Sequence, residues 1–162
     1  MIAWSYGGGV QSAAIGVMIR AGVLPKPDLA VISDTSRERR TTWEYLCQHM
    51  QPHLDPVGVK IEIAPHTLAR VDLYDKSGLT LVPAYTAEGR LAAFCSGEWK
   101  RDVCERWLRS KGVTECEQWI GYSLDELWRV KKDHRGWCKI AYPLIDKMVA
   151  AREAAATEAC EE

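Results

Sequence analysis

Apolar and polar positions along the chain fall into short runs that change period repeatedly. Ile2 to Tyr6 is an apolar run with the length of a buried strand. Val10, Ala14, Val17, Met18 and Ala21 then recur at helical spacing, and Gly22 fits the end of that helix. Asp28 to Ser33 (DLAVIS) reads as a second buried strand. Thr41 and Glu44 have the spacing of a capping box, opening a helix that Pro52 is expected to stop. Val57 to Ala64 alternates as a third strand. Residues 65–94, broken by Gly78 and Gly89, give no clear period. Ser96 can cap a helix with Trp99, Val103 and Trp107 on one side, ending near Gly112. Gln118 to Tyr122 is a fourth strand, Ser123 and Glu126 can cap a further helix, and Ile140 to Leu144 is a last short strand. The Ala- and Glu-rich tail from Asp146 reads as helix.

Strand and helix alternate, which predicts an α/β fold with a Rossmann-like, mostly parallel five-stranded sheet and helices on both faces. The 162 residues suffice for a single domain over 1–162. In such sheets ligands bind beyond the carboxyl ends of the strands. Gly7, Gly8 and Gly9 lie at such an end, between the first strand and the first helix.

Charge narrows the partners. The formal net charge is −1, so no global basic field draws nucleic acid to the chain. No apolar stretch approaches the length of a membrane span, and no basic segment followed by a long apolar core opens the chain, so a cytoplasmic protein without membrane contact is expected. The six cysteines include no C-x-x-C pair; reduced thiols are expected, and no residue is assigned as a metal ligand.

A strand, a glycine turn and a helix N-terminus form an anion site, because bare N–H groups and the helix dipole face outward. Glycine lets the backbone approach phosphate oxygens and take positive φ, and Ser5 and Ser12 can add hydroxyls. A P-loop of the G-x-x-x-x-G-K-[ST] kind fails, since the first lysine is Lys26. A dinucleotide fingerprint is matched only in part: Gly7 and Gly9 fit, Ser12 replaces the third glycine, and Asp34 lies at a distance suited to a ribose.

The stretch from Ser5 to Ser12, SYGGGVQS, resembles the pyrophosphate loop of ATP pyrophosphatases, usually written SGGxDS. It is still more similar to the variant in phosphoadenylylsulfate (PAPS) reductases, where Gln replaces Asp. Other stretches match that family in order. Ser33-Asp34-Thr35 is similar to its Asp-Thr-Gly, with Ser36 in the glycine's place. Cys95 to Lys100 (CSGEWK) resembles a Cys-then-Lys element before a helix. Trp119 to Glu126 (WIGYSLDE) resembles an aromatic-apolar-Gly strand end before a polar helix, and Tyr142 to Asp146 (YPLID) resembles Leu-Pro-Ile-Ile-Asp. Together these motifs span residues 2–146.

The resemblance implies the fold of the adenine nucleotide alpha hydrolases (HUP type) and a bound adenine nucleotide, ATP or PAPS, with Mg²⁺. Pyrophosphatase members cleave ATP between the α- and β-phosphates as an acceptor oxygen attacks the α-phosphorus. It implies nucleotide contacts from Ser5, Gly7, Gly8, Gly9, Gln11, Ser12, Asp34, Thr35, Gly121, Lys132 and Arg135, and roles at the reacting phosphates for Gln11, Lys100 and Arg129. The family places basic residues where Arg129, Lys131, Lys132, His134, Arg135 and Lys139 stand here; the plain alternative is a solvated basic face.

Two departures bear on activity. Gln11 carries no charge where SGGxDS has a carboxylate. PAPS reductases end in Glu-Cys-Gly-x-His, whereas Cys160 stands among Glu158, Glu161 and Glu162, which should raise its pKa. Cys95, before a helix, is the thiol better placed for reactivity, with simple packing as the alternative. Trp137, between basic residues, can stack a base, which keeps nucleic acid among possible partners; otherwise the tryptophans read as core. Three activities therefore stay open: adenylylation of an unknown acceptor by ATP, reduction of a sulfonucleotide by a thiol, and nucleotide sensing without turnover. A homo-oligomer is also open.

Overall fold

The computed structural model describes residues 1–70, 74, 77–78, 85–86, 89–90, 96–130 and 136–161. The chain runs β1 (Ile2–Ser5), α1 (Val10–Arg20), β2 (Leu29–Ser33), α2 (Arg40–Tyr45), α3 (Gln51–Leu54), β3 (Ile61–Ala64), the two-residue strands β4 (Tyr85–Thr86) and β5 (Gly89–Arg90), α4 (Asp102–Ser110), β6 (Cys116–Ile120), β7 (Cys138–Ala141) and α5 (Pro143–Glu161). Five strands form one sheet in the order β3-β2-β1-β6-β7, and every pair is parallel. The expected Rossmann-like α/β fold is therefore present, with a wholly parallel sheet. β4 and β5 pair antiparallel, apart from that sheet.

Helices cover both faces. On one side Trp4, Tyr6, Ala30, Ile32 and Trp119 from the sheet pack with Ile15 and Ile19 of α1 and with Leu46, Met50 and Leu54, and Leu144 of α5 joins the edge. On the other, Ala3, Val31, Ala64, Cys116 and Cys138 meet Val103, Cys104, Trp107 and Leu108 of α4. This explains the near-continuous apolar strands, since a strand covered on both faces has no wet side.

Periodicity misassigned the face of α1. Ser12, Ile15, Gly16 and Ile19 are buried, whereas Val10 and Val17 are 82% and 51% exposed. The helix is apolar nearly all round, so its period cannot choose a side; packing does. A Cβ on Gly16 would sit 2.6 Å from the Met50 sulfur and 3.2 Å from Trp4, so this glycine admits two large core side chains.

The second helical stretch also departs from expectation. It begins at Arg40 with Arg39 as its N-cap, and no side chain caps it; Glu44 bonds Arg40 at 2.6 Å instead of closing a capping box with Thr41. Pro52 does not end it. The backbone stays helical over 40–57, with a π turn at Leu46–Met50, Pro52 within α3 and a 3₁₀ turn at Asp55–Val57. The widened turn just before Pro52 makes room for a ring that would clash with a regular helix. Trp99, Val103 and Trp107 are buried together as expected, though Ser96–Arg101 is a π turn leading into α4. Leu124–Arg129 is a 3₁₀ segment, with Asp125 in place of a backbone N–H bonded to the Ser123 hydroxyl.

Two braces hold the β3 side. Gln51 accepts the Ile61 N–H at 2.9 Å and donates to the Val59 carbonyl at 2.9 Å and to Asp55 at 2.7 Å. Lys111, at the end of α4, meets Glu62 at 2.9 Å. Among the described residues no helix is long and apolar enough to cross a membrane.

Candidate functional site

The chain leaves β1 toward β2 and β3 on one side and returns to β6 on the other. The crevice between β1 and β6 is thus the switch point of the sheet, and the triple glycine opens onto it. Each glycine there has a different reason. Gly7 sits close under Ser12: its N–H donates to Ser12 Oγ at 2.9 Å, and a Cβ would approach that oxygen to 3.2 Å. Gly8 has φ +74, and a Cβ would meet Thr42 of α2 at 2.6 Å. Gly9 is the N-cap of α1, with φ −99 and ψ 175. A Cβ on Gly9 would meet nothing nearer than Gln11 Oε1 at 3.8 Å. Neither backbone angle nor internal packing requires glycine at position 9; what a side chain there would fill is the space before the helix end.

That helix end is bare. No side chain caps α1 and no acidic residue stands in its first turn. The Gly9 carbonyl accepts the Ala13 N–H at 3.0 Å. Among the described residues, the N–H groups of Gly8, Gly9, Val10 and Gln11 have no hydrogen-bond partner. Gly121 closes the other wall. A Cβ on it would lie 2.8 Å from the Ser12 nitrogen and 3.0 Å from the Gln11 carbonyl carbon, so the exit of β6 can lie against the first turn of α1 only without a side chain.

Ser5 does not face this loop. Parallel strands alternate faces, so Ser5 shares the α4 side with Ala3. Its hydroxyl accepts from Gln118 Nε2 at 2.7 Å, and Gln118 accepts from the Cys138 thiol at 3.2 Å. Ser5 and Ser33 lie beside Cys104 of α4, and their hydroxyls favour its thiolate. Counted back from Ser12, the leading serine of SGGxDS falls on Gly7, which has no hydroxyl to offer. Gln118, 1% exposed, was not singled out from the sequence; a polar residue in an apolar strand was its signal.

The turn after β2 is held by its own polar groups. Asp34 N–H donates to the Ala64 carbonyl at 2.8 Å, and Asp34 Oδ1 accepts the Ser36 N–H at 2.7 Å. Thr35 is buried, and its hydroxyl accepts the Arg37 N–H at 3.3 Å. Ser36 has φ +55, and it is the single non-glycine residue with positive φ among the described residues. The position where the Asp-Thr-Gly motif carries glycine is therefore a left-handed position here as well.

Of the candidate basic residues, Lys100 and Arg129 are engaged. Lys100, in the π turn before α4, forms an ion pair with Glu38, and next to it Arg37 lies over the Trp99 ring at 4.7 Å. Arg129 pairs with Glu126 and stacks on Tyr122 at 4.3 Å; Tyr122 in turn stacks on Tyr142 with ring centroids 5.5 Å apart. Lys132 and Arg135 lie outside the described residues, with Lys131 and His134. Trp137 carries Arg109 over its ring at 4.0 Å and packs against the α4 core, so one of its faces is covered from within.

Described thiols near the sheet are insulated. Cys104, Cys116 and Cys138 are buried, and burial pushes the Cys104 thiol up to about 11, with Ser33, Ser5 and Lys100 opposing more weakly. Cys95 and the side chain of Cys160 lie outside the described residues. Burial, and next to it the nearby Tyr45, pushes the Tyr6 phenol up to about 12. The Ser123 hydroxyl holds the Asp125 carboxyl below its ordinary range.

Among the described residues no three His, Cys, Asp or Glu side chains come together to hold a metal, and the glycine loop offers the neutral Gln11. Comparison of the chain with protein-family models, with curated proteins and with solved structures gives no match, so the resemblance to pyrophosphate-loop enzymes rests on the chain's own residues.

Proposed function

We propose that the chain binds an adenine nucleotide with its phosphates at the N-terminus of α1, and that it is an enzyme cleaving ATP between the α- and β-phosphates to adenylylate an acceptor. The observation that carries the binding half is Gly9: a glycine that neither its φ nor its neighbours require, before four N–H groups without partners. Such groups suit a multiply charged oxygen acceptor, which gains hydrogen bonds and the field of the helix dipole together. Asp34 and Thr35 follow the neighbouring strand, and the resemblance implies nucleoside contacts for them.

The chemical half follows from the resemblance of the loop and of the later motifs. Backbone N–H groups that hold pyrophosphate better as it leaves than while it is bonded would lower the barrier, since only interactions stronger in the transition state accelerate the reaction. No step is assigned to a metal held by side chains. The reductase alternative gains no support from Cys104, Cys116 or Cys138, all buried.

Calorimetry with ATP, followed by a search for labelled pyrophosphate and AMP, tests the reading. Wild type should bind ATP, and Gly9→Val should lose at least tenfold in affinity with an unchanged thermal melt. Equal affinity in folded wild type and Gly9→Val would overturn the binding site. Sulfite released from PAPS would replace the adenylylation reading with the reductase one.

A further inference from the structure

Two neighbouring contacts join the segment after β2 to the turn that opens α4. Arg37 lies over Trp99, which is 2% exposed, and Glu38 pairs with Lys100. The Glu38 side chain is 18% exposed and that of Lys100 39%. The residues after Glu38 lead into α2, whose Thr42 stands next to Gly8, and the Lys100 turn packs against β2, the strand beside β1. Lys100 reaches Glu38 from a π turn, Ser96–Arg101, a helical form that is uncommon in proteins and recurs at functional sites.

We propose that Glu38 competes with the ligand's phosphates for Lys100 and so sets how tightly phosphate ligands bind. The inference rests on the nucleotide reading above. A carboxylate and a phosphate oxygen are alternative acceptors for one ammonium group, and a lysine side chain is long and flexible enough to change between them. While Glu38 holds Lys100, a ligand must supply more negative charge than a carboxylate to win it. Adenosine has none to offer; a polyphosphate has several charges. Glu38 thereby lowers the affinity for phosphate ligands, which must displace it from Lys100, and leaves uncharged nucleosides unaffected. The Arg37–Trp99 contact fixes the backbone on either side, so the exchange needs only the Lys100 side chain to move.

The experiment measures ATP, pyrophosphate and adenosine affinities by calorimetry on the whole chain, for wild type, Glu38→Gln, Lys100→Met and the double variant, each with a thermal melt. Glu38→Gln should tighten ATP and pyrophosphate about three- to tenfold and leave adenosine unchanged. Lys100→Met should weaken ATP, and Glu38→Gln should have no further effect in that background. Glu38→Ala repeats the test should Glu38→Gln fail to fold. Unchanged or weaker ATP affinity in folded Glu38 variants overturns the competition while leaving the nucleotide reading intact. A gain that persists in the Lys100→Met background also overturns it, since the effect would then not pass through the lysine. Failure of wild type to bind either phosphate ligand overturns both proposals together.

Discussion

Gly121 and Ser12 touch through their backbones: a Cβ on Gly121 would lie 2.8 Å from the Ser12 nitrogen. The two residues come from opposite sides of the switch point, one after β6 and one in the first turn of α1. Gly121→Ala should therefore force the exit of β6 off the helix. Nothing at the contact is a flexible side-chain tip, so the cost should be about 1–3 kcal/mol, read as a lower urea midpoint, and ATP affinity should fall with it. A stable variant with wild-type affinity would mean that the two segments can part without consequence.

Gly8 and Gly9 should behave differently although they are neighbours. Any side chain at Gly8 faces both φ +74 and Thr42, so Gly8→Ala should lose stability by about 1–2 kcal/mol on the backbone term alone. Gly9→Ala meets neither problem and should melt within about 0.5 kcal/mol of wild type, while losing phosphate affinity. Parallel melts and titrations of the two variants check this.

Ser36 holds a left-handed backbone at φ +55 without being glycine. Ser36→Gly removes that strain but loosens the unfolded chain, so the net gain should be below the full left-handed penalty, about 0.5–1 kcal/mol. A rise of about 1–4 °C in melting temperature is expected for a chain of this size. A fall would mean that the Ser36 side chain contributes more than its backbone costs.

The alkaline limb of stability should begin near pH 9. Cys104 is raised from 9.0 to about 11 in the folded protein. In that window the unfolded thiol releases its proton while the folded one keeps it. Its contribution is full below pH 9 and is lost as pH rises toward 11, at up to about 1.4 kcal/mol per pH unit. Tyr6, raised from 10.0 to about 12, adds a second loss between those values. Urea titrations between pH 8 and 11 should show the decline, and Cys104→Ala should be less stable at pH 8 but decline less steeply. In the native state Cys47, which is exposed, should react with a thiol reagent well before Cys104, Cys116 and Cys138.

Fold class was legible because β1 and β2 are short and apolar, and because strands alternate with helices or turn signals along the chain. Gly22 and Gly112 also ended their helices as expected, at φ +73 and +83. Pro52 misled because its effect depends on the turn before it, and a π turn leaves no mark in composition. The side of α1 was hidden because Val10 and Val17 are as apolar as Ile15 and Ile19. Near the candidate site, the glycine turn between β1 and α1 could be read from the local chain. Glu38 could not: its partner Lys100 is 62 residues away in sequence (100 minus 38), and no local pattern links them. Ser5 was assigned to the loop by proximity, but strand alternation turns its hydroxyl to the other face.

Gln51 acts as a substitute strand. The groups it engages at Val59 and Ile61 point away from β2, where another chain would have to dock to lengthen the sheet. A parallel sheet ending in β3, with Ile63 53% exposed, would otherwise present a sticky border to every copy of itself. One amide from a helix occupies the start of that border, and it does so from inside the molecule, whatever the concentration. Loss of this side chain would therefore register less in the melting temperature than in the tendency of the folded protein to assemble into fibres.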